Sequence, residues 1–169
     1  MSAIALRPFL PADSRRCAAI FRDAIDVLAS EDYGEEQRAA WAAPADDALR
    51  FGARLADALT LVAVIDGAVV GFASLKNQDC LDMLYVDPAF ARRGVGATLI
   101  DAIVRIAVAR GAARLTSDVS DGARSVFERQ QFVAERRNLA RVGEEWLATT
   151  TMTRQLAAAP ASDATPTRH

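Results

Sequence analysis

The stretch Leu84-Tyr85-Val86-Asp87-Pro88-Ala89-Phe90-Ala91-Arg92-Arg93-Gly94-Val95-Gly96-Ala97 constrains this chain more than any other. A β-branched and aromatic run stops at Val86-Asp87-Pro88, two arginines and a Gly-x-Gly turn follow, and a helical pattern opens at once. Such a junction points free backbone N–H groups and the positive end of a helix dipole at one spot, which suits a phosphate. Gly94 and Gly96 lack the Cβ atoms that would hold a ligand off that backbone. The same two glycines also serve a tight turn that binds nothing.

The rest of the chain supplies alternating elements around this junction. Ala3 to Arg7 reads as a short strand, and Ala12 to Ala29 as a helix with Cys17, Ile20, Phe21, Ile25, Val27 and Leu28 at helical spacing. Glu35 to Trp41 and Asp47 to Ala58 are shorter helical segments on either side of Pro44. Thr60 to Ile65 and Ala68 to Leu75 flank Asp66-Gly67, a strong hairpin signal, and Cys80 to Val86 is the next strand. Leu99, Ile100, Ile103, Ile106 and Ala107 make the stripe of a helix from Val95 to Arg110, closed by Gly111. Arg114 to Val119 reads as a strand and Asp121 to Gln130 as a helix. Phe132 to Arg141 and Glu145 to Arg154 read as two strands joined near Gly143. This order implies one mixed sheet flanked by helices. Residues 1–156 read as a single domain and residues 157–169 as a frayed tail.

Composition removes several classes of function. A formal charge of −2 argues against a nucleic-acid partner. No run of about 18 apolar residues occurs, so no membrane span is expected, and Met1 to Arg7 does not resemble a signal peptide. Cys17 and Cys80 are too few for a disulfide framework or a zinc site, which points to a reducing cytoplasm and no metal. The one histidine, His169, is the last residue, which excludes histidine bases and triads unless the tail folds back.

Two other phosphate loops fail by residue. A Walker loop requires a lysine that the junction lacks, and a dinucleotide fingerprint requires a third glycine where Leu99 stands. The junction instead resembles the phosphate motif of the GNAT superfamily of acetyl-CoA-dependent N-acetyltransferases, Gln/Arg-x-x-Gly-x-Gly/Ala after a strand ending in a Val-x-Pro-like turn. Ala91-Arg92-Arg93-Gly94-Val95-Gly96 departs from it at Ala91. The segment Ala123-Arg124-Ser125-Val126-Phe127-Glu128-Arg129-Gln130-Gln131-Phe132 is similar to the family's Ala-x-x-Leu-Tyr-Glu-x-x-Gly-Phe. The resemblance runs from about Ala3 to Leu156. It implies an α/β domain with a mixed sheet of about seven strands and about four helices, and acetyl-CoA as acetyl donor.

By that resemblance, the backbone of Arg92, Arg93, Gly94, Val95, Gly96, Ala97 and Thr98 receives the pyrophosphate. The backbone of Leu84, Tyr85 and Val86 pairs with the pantetheine arm and polarises the thioester carbonyl. The reaction implied is direct attack by a primary amine of a small molecule or peptide in a ternary complex. Phe127 occupies the position of a tyrosine that often protonates the leaving thiolate, and Ser120 that of an asparagine at a strand end. Tyr85, Tyr33 and Ser120 remain candidates for the acid. Asp82, given the side-chain parity of Leu84 and Val86, is the first candidate for the base or amine-binding group, with Asp118 behind it. Tyr33 and Trp41, beside the acidic run Glu31-Asp32 and Glu35-Glu36, are candidates to stack on a cationic acceptor. Cys80 offers an acetyl-cysteine route that is rare in the family. Because Phe127 has no proton to give, a non-catalytic acyl-CoA-binding sensor is the alternative. Exposed late strands allow a homodimer.

Overall fold

The computed structural model describes residues 2–156; the segment 157–169, with His169, lies outside the described residues. Seven strands, β1 (Ala5–Pro8), β2 (Leu59–Ile65), β3 (Ala68–Lys76), β4 (Cys80–Val86), β5 (Arg114–Ser120), β6 (Val133–Val142) and β7 (Glu145–Gln155), form one sheet. Their order is β1-β2-β3-β4-β5-β7-β6. Only β4 and β5 run parallel. The β2–β3 hairpin turns through Asp66 and Gly67 at φ 50° and 80°, the paired positive angles that the Asp-Gly signal predicts.

Five helices rather than about four pack on this sheet: α1 (Ser14–Leu28), α2 (Glu35–Ala42), α3 (Ala48–Asp57), α4 (Val95–Ala109) and α5 (Arg124–Arg129). Pro44 lies in a 3-10 turn, Ala43–Asp46, that keeps α2 and α3 apart because proline cannot continue the hydrogen-bond ladder of the preceding helix. The single helix expected over Asp121 to Gln130 divides into a 3-10 turn, Asp121–Ala123, and α5.

The strands sort their side chains to two faces. Ala73 and Leu75 of β3, with Leu81, Leu84 and Val86 of β4, pack against Leu99, Ile100 and Ile103 of α4 and Phe127 of α5. Val69, Phe72, Met83 and Tyr85 pack on the other side against Ile20, Phe21 and Ile25 of α1 and Phe51 and Leu55 of α3. A third, smaller cluster of Ala29, Tyr33 and Leu147, with Trp41 against it, seats α2 over β7.

Helix α4 approaches β3 so closely that Gly71 has no room for a side chain. A Cβ there would stand 3.0 Å from Val95 Cγ1 and 3.1 Å from the Tyr85 carbonyl oxygen. Gly71→Ala is expected to lower unfolding free energy by about 1–3 kcal/mol, the usual cost of overpacking, as read from denaturant midpoints.

Candidate active site

The two parallel strands part. The only β4–β5 rung pairs Cys80 with Thr116. Just beyond it, Ser117 Oγ donates to the Leu81 carbonyl at 2.8 Å, and there the direct link ends. From Asp82 onward β4 follows β3 as far as Gly71↔Val86, while β5 follows β7 as far as Ser120↔Thr149. An opening remains between them, walled on one side by a strand edge with unspent backbone groups.

The loop that closes this opening is built as the junction predicts. Asp87 Oδ1 accepts from the Ala89 amide at 2.9 Å and its own amide donates to the Val70 carbonyl at 2.8 Å. Burial pushes the Asp87 pKa up, but the Ala89 amide and the Arg16 guanidinium outweigh it and hold the carboxyl below its usual range. Arg92 and Gly94 sit at φ 62° and 83°, a left-handed geometry that turns successive N–H groups into an anion-binding concavity. Among the described residues the amides from Arg92 to Ala97 donate to no protein acceptor, whereas Thr98 N–H and Oγ1 both bond the Gly94 carbonyl. The first turn of α4 carries no acidic residue, so its positive end is not neutralised. Arg93 stacks over the Phe90 ring at 5.2 Å. A Cβ on Gly96 would face the opening, with its nearest neighbours Val126 Cγ1 of α5 at 3.8 Å and Val86 Cγ2 of β4 at 3.9 Å.

Asp82 departs from its expected parity. Leu75 pairs with Leu81 and Ser74 with Met83, so Asp82 is an extra residue in β4. This bulge takes it off the α4 side, where Leu84 and Val86 point, and onto the face of α1 and α3. There it meets Arg54 Nη2 at 3.2 Å. Tyr85 lies on the same face, its ring 4.6 Å from Phe21 and its hydroxyl accepting from Trp41 Nε1 at 3.2 Å. Burial drives the Tyr85 pKa up to about 12 against the opposing effects of the Trp41 N–H and the Arg54 charge.

The other candidates divide between site and frame. Phe127 is buried edge-on against Phe132, centroids 5.1 Å apart, and is part of the core. Ser120 ends β5 at the mouth of the opening, half-buried. Asp118 accepts from Thr151 Oγ1 at 2.7 Å, which accepts in turn from Asn138 Nδ2 at 2.6 Å. Cys80 has its thiol pKa raised by burial and by the charges of Asp82, Asp118 and Asp79, which disfavours a nucleophilic thiolate. Asp121 lies beside Arg137, whose paired hydrogen bonds hold the carboxyl below its usual range.

Trp41 is half-buried and edges toward both Tyr33 and Tyr85. Tyr33 does not reach for an acceptor with its hydroxyl. It is 5% exposed, donates to the Ala148 carbonyl at 2.6 Å and accepts from the Asp121 amide at 3.1 Å. It ties the α1–α2 connection to β7 and to the end of β5.

Two contributors have no signal in the local sequence. Arg54 reaches Asp82 across 28 residues, and Arg16 joins the Val69 carbonyl at 2.9 Å to the Asp87 carboxylate across 71. Both are ordinary helix arginines until tertiary packing brings them to β4 and its turn. The Tyr33 geometry makes its own forecast. Tyr33→Phe should cost about 1–2 kcal/mol in unfolding free energy, because two part-buried backbone groups lose their partner. A Michaelis-constant change at unaltered stability would contradict that role.

Among the described residues no helix is long and apolar enough to cross a membrane, and no group of His, Cys, Asp or Glu is arranged to hold a metal ion. The family model of the GNAT acetyltransferase domain matches residues 29–156. The uncharacterized N-acetyltransferase YafP of Escherichia coli (strain K12) is 36% identical over 132 residues, 78% of this chain and 83% of that protein. A crystal structure of a GCN5-related N-acetyltransferase from Rhodopseudomonas palustris is 52% identical, with a TM-score of 0.90 over 92% of this chain and 98% of that one. YncA of Salmonella typhimurium, a putative acetyltransferase solved with acetyl-CoA, shares the fold at 22% identity, with a TM-score of 0.65 over 96% and 99% of the two chains. The chain therefore belongs to the GNAT family and is an acyltransferase of the N-acetyltransferase type.

Proposed function

We propose that the protein transfers the acetyl group of acetyl-CoA to a primary amine by direct attack in a ternary complex. The observation that carries this is the parting of β4 and β5 beside a row of free amides at the start of α4. The pyrophosphate occupies the concavity formed by the free amides of Arg92 to Ala97, with the Arg92 and Arg93 side chains adding positive charge, while Thr98, whose amide is spent on Gly94, lends only its place in the first turn. The pantetheine arm lies in the opening along the unpaired edge of Leu84, Tyr85 and Val86. A backbone N–H of that edge polarises the thioester carbonyl and stabilises the oxyanion. Such an arm is itself a chain of amides, so it supplies the partners that β5 withdraws.

The acceptor approaches from the α1–α3 face, where Asp82 receives the ammonium and takes up its proton. The amine nitrogen then bonds to the carbonyl carbon and gives up its second proton to water, the C–S bond breaks, and sulfur leaves with the electron pair and is protonated from solvent. The Tyr85 hydroxyl, protonated throughout the neutral range, donates a hydrogen bond to the reacting group while its oxygen is held by Trp41. Ser120 supports the pantetheine amide at the end of β5. The raised thiol pKa of Cys80 weighs against an acetyl-cysteine intermediate.

Two substitutions test this reading. Gly96→Glu should fold with little change in stability, since a Cβ there meets nothing closer than 3.8 Å and a carboxylate in the first turn complements the helix dipole. Its dissociation constant for CoA, measured by calorimetry, should rise at least ~10-fold, because a negative side chain at the anion concavity repels the pyrophosphate. Asp82→Asn should leave acetyl-CoA affinity intact and lower kcat/KM for the amine about 10²-fold or more, the usual worth of a positioned base. Full activity of that variant in a thiol-release assay would remove Asp82 from the mechanism.

A further inference from the structure

Arg54 is left without a role in the transfer step, yet it stands beside the groups that perform it. Its contact with Asp82 is a single 3.2 Å hydrogen bond from Nη2 to Oδ2. It is not the paired fork that arginine and carboxylate adopt when they satisfy one another. Asp82 Oδ1 and the other guanidinium N–H groups have no partner among the described residues. The side chains are 54% and 25% exposed, so water screens the pair and it is held by little. It can open at small cost.

Its location gives the pair meaning. Asp82 is the bulged residue just past the last β4–β5 contact, so the carboxylate stands where the strands begin to part. Arg54 is in the last turn of α3, and the charges of both Arg54 and Asp82 act on the Tyr85 hydroxyl. Trp41, bonded to that hydroxyl, adds an aromatic wall. An anion site, a cation site and an apolar surface therefore meet at one end of the opening.

We propose that the acceptor is a free α-amino acid, its ammonium held by Asp82 and its carboxylate by Arg54, with its side chain directed toward Trp41. This rests on the acetyl-transfer reading above and names its substrate class. A zwitterion inserted into the pair replaces one weak ion contact by two charge-assisted ones. A simple amine of the same size satisfies Asp82 but sets its positive charge against Arg54, and a methyl ester removes the anion that Arg54 would receive. In the reaction the amino-acid nitrogen forms a C–N bond to the acetyl carbon and the C–S bond breaks. Two protons leave the nitrogen, the first through Asp82 to water before attack and the second to water as the tetrahedral intermediate collapses. The sulfur, leaving with its electron pair, takes one from solvent, so one proton is released net. The products are an N-acetyl amino acid and CoA.

The experiment compares matched sets of acceptor, each an α-amino acid, its methyl ester and its decarboxylated amine, by thiol release with the full chain. The amino acids should exceed their esters and amines in kcat/KM by at least ~10-fold. Arg54→Gln should collapse that ratio to near one, and Arg54→Lys should restore part of it. Equal use of acids, esters and amines by the unmodified protein overturns the inference, as does an Arg54→Gln variant that keeps the preference. Amines accepted while every amino acid is refused overturns it and leaves the acetyltransfer reading standing. Asp82→Asn without effect, together with a preference lost in Arg54→Gln, overturns the base assignment and leaves the carboxylate site standing.

Discussion

A strand that abandons its neighbour leaves half of its backbone hydrogen bonds unmade, and everything around β4 is arranged to hold it in that condition. The strand is fully paired on its β3 side, and the bulge at Asp82 adds twist just where β5 stops following it. β5 cannot close the gap because it is laddered to β7 from Arg114↔Gln155 to Ser120↔Thr149. β4 cannot drift either. Gly71 lets α4 press on the far side, and Arg16 ties the turn after β4 to β3 from the other face. Unpaired buried amides are costly, so a chain that keeps an open strand edge has a use for the vacancy.

The sheet also separates the two halves of the chemistry. Leu84, Val86, the first turn of α4 and Val126 of α5 lie on one face and furnish backbone and apolar surface suited to a long phosphorylated ligand. Asp82, Tyr85, Trp41 and Arg54 lie on the other and bring two opposite charges, a hydroxyl and an aromatic ring together. The bulge joins the halves. Without the extra residue Asp82 would point with Leu84 into the α4 core, where an unpaired carboxylate would be prohibitively costly.

Features set by local rules were readable from the residues. The Asp66-Gly67 hairpin, the β4 boundaries, the stripe of α4 and the glycine turn before it depend on neighbouring residues alone, and each stands where the pattern puts it. Features set by distant packing were not. Alternation along an unbroken strand puts Asp82 with Leu84 and Val86, but register in β4 is decided by β3, which has one residue fewer over the same span. Tyr33 reads as an exposed aromatic in an acidic run, yet Ala148 and Asp121, more than 80 residues on, take up its hydroxyl. Arg54 and Arg16 show nothing in sequence to mark them among the chain's many arginines.

Phe127 raises the question of how the reaction proceeds without the helix hydroxyl, and proton affinities narrow the answer. Tyr85, at about 12, is a far weaker acid than a thiol of about 8.5, and that gap opposes full proton transfer to a thiolate by about 5 kcal/mol. In the proposed reaction Tyr85 therefore acts as a hydrogen-bond donor to developing charge and not as the source of the final proton. A thiolate of that basicity departs tolerably near neutrality and collects its proton from water. The demanding step lies on the acceptor side, where an ammonium must lose a proton before its nitrogen can attack. In the proposed mechanism the carboxylate that the bulge sets among aromatic rings answers this larger requirement, and the ring of Phe127 serves the core.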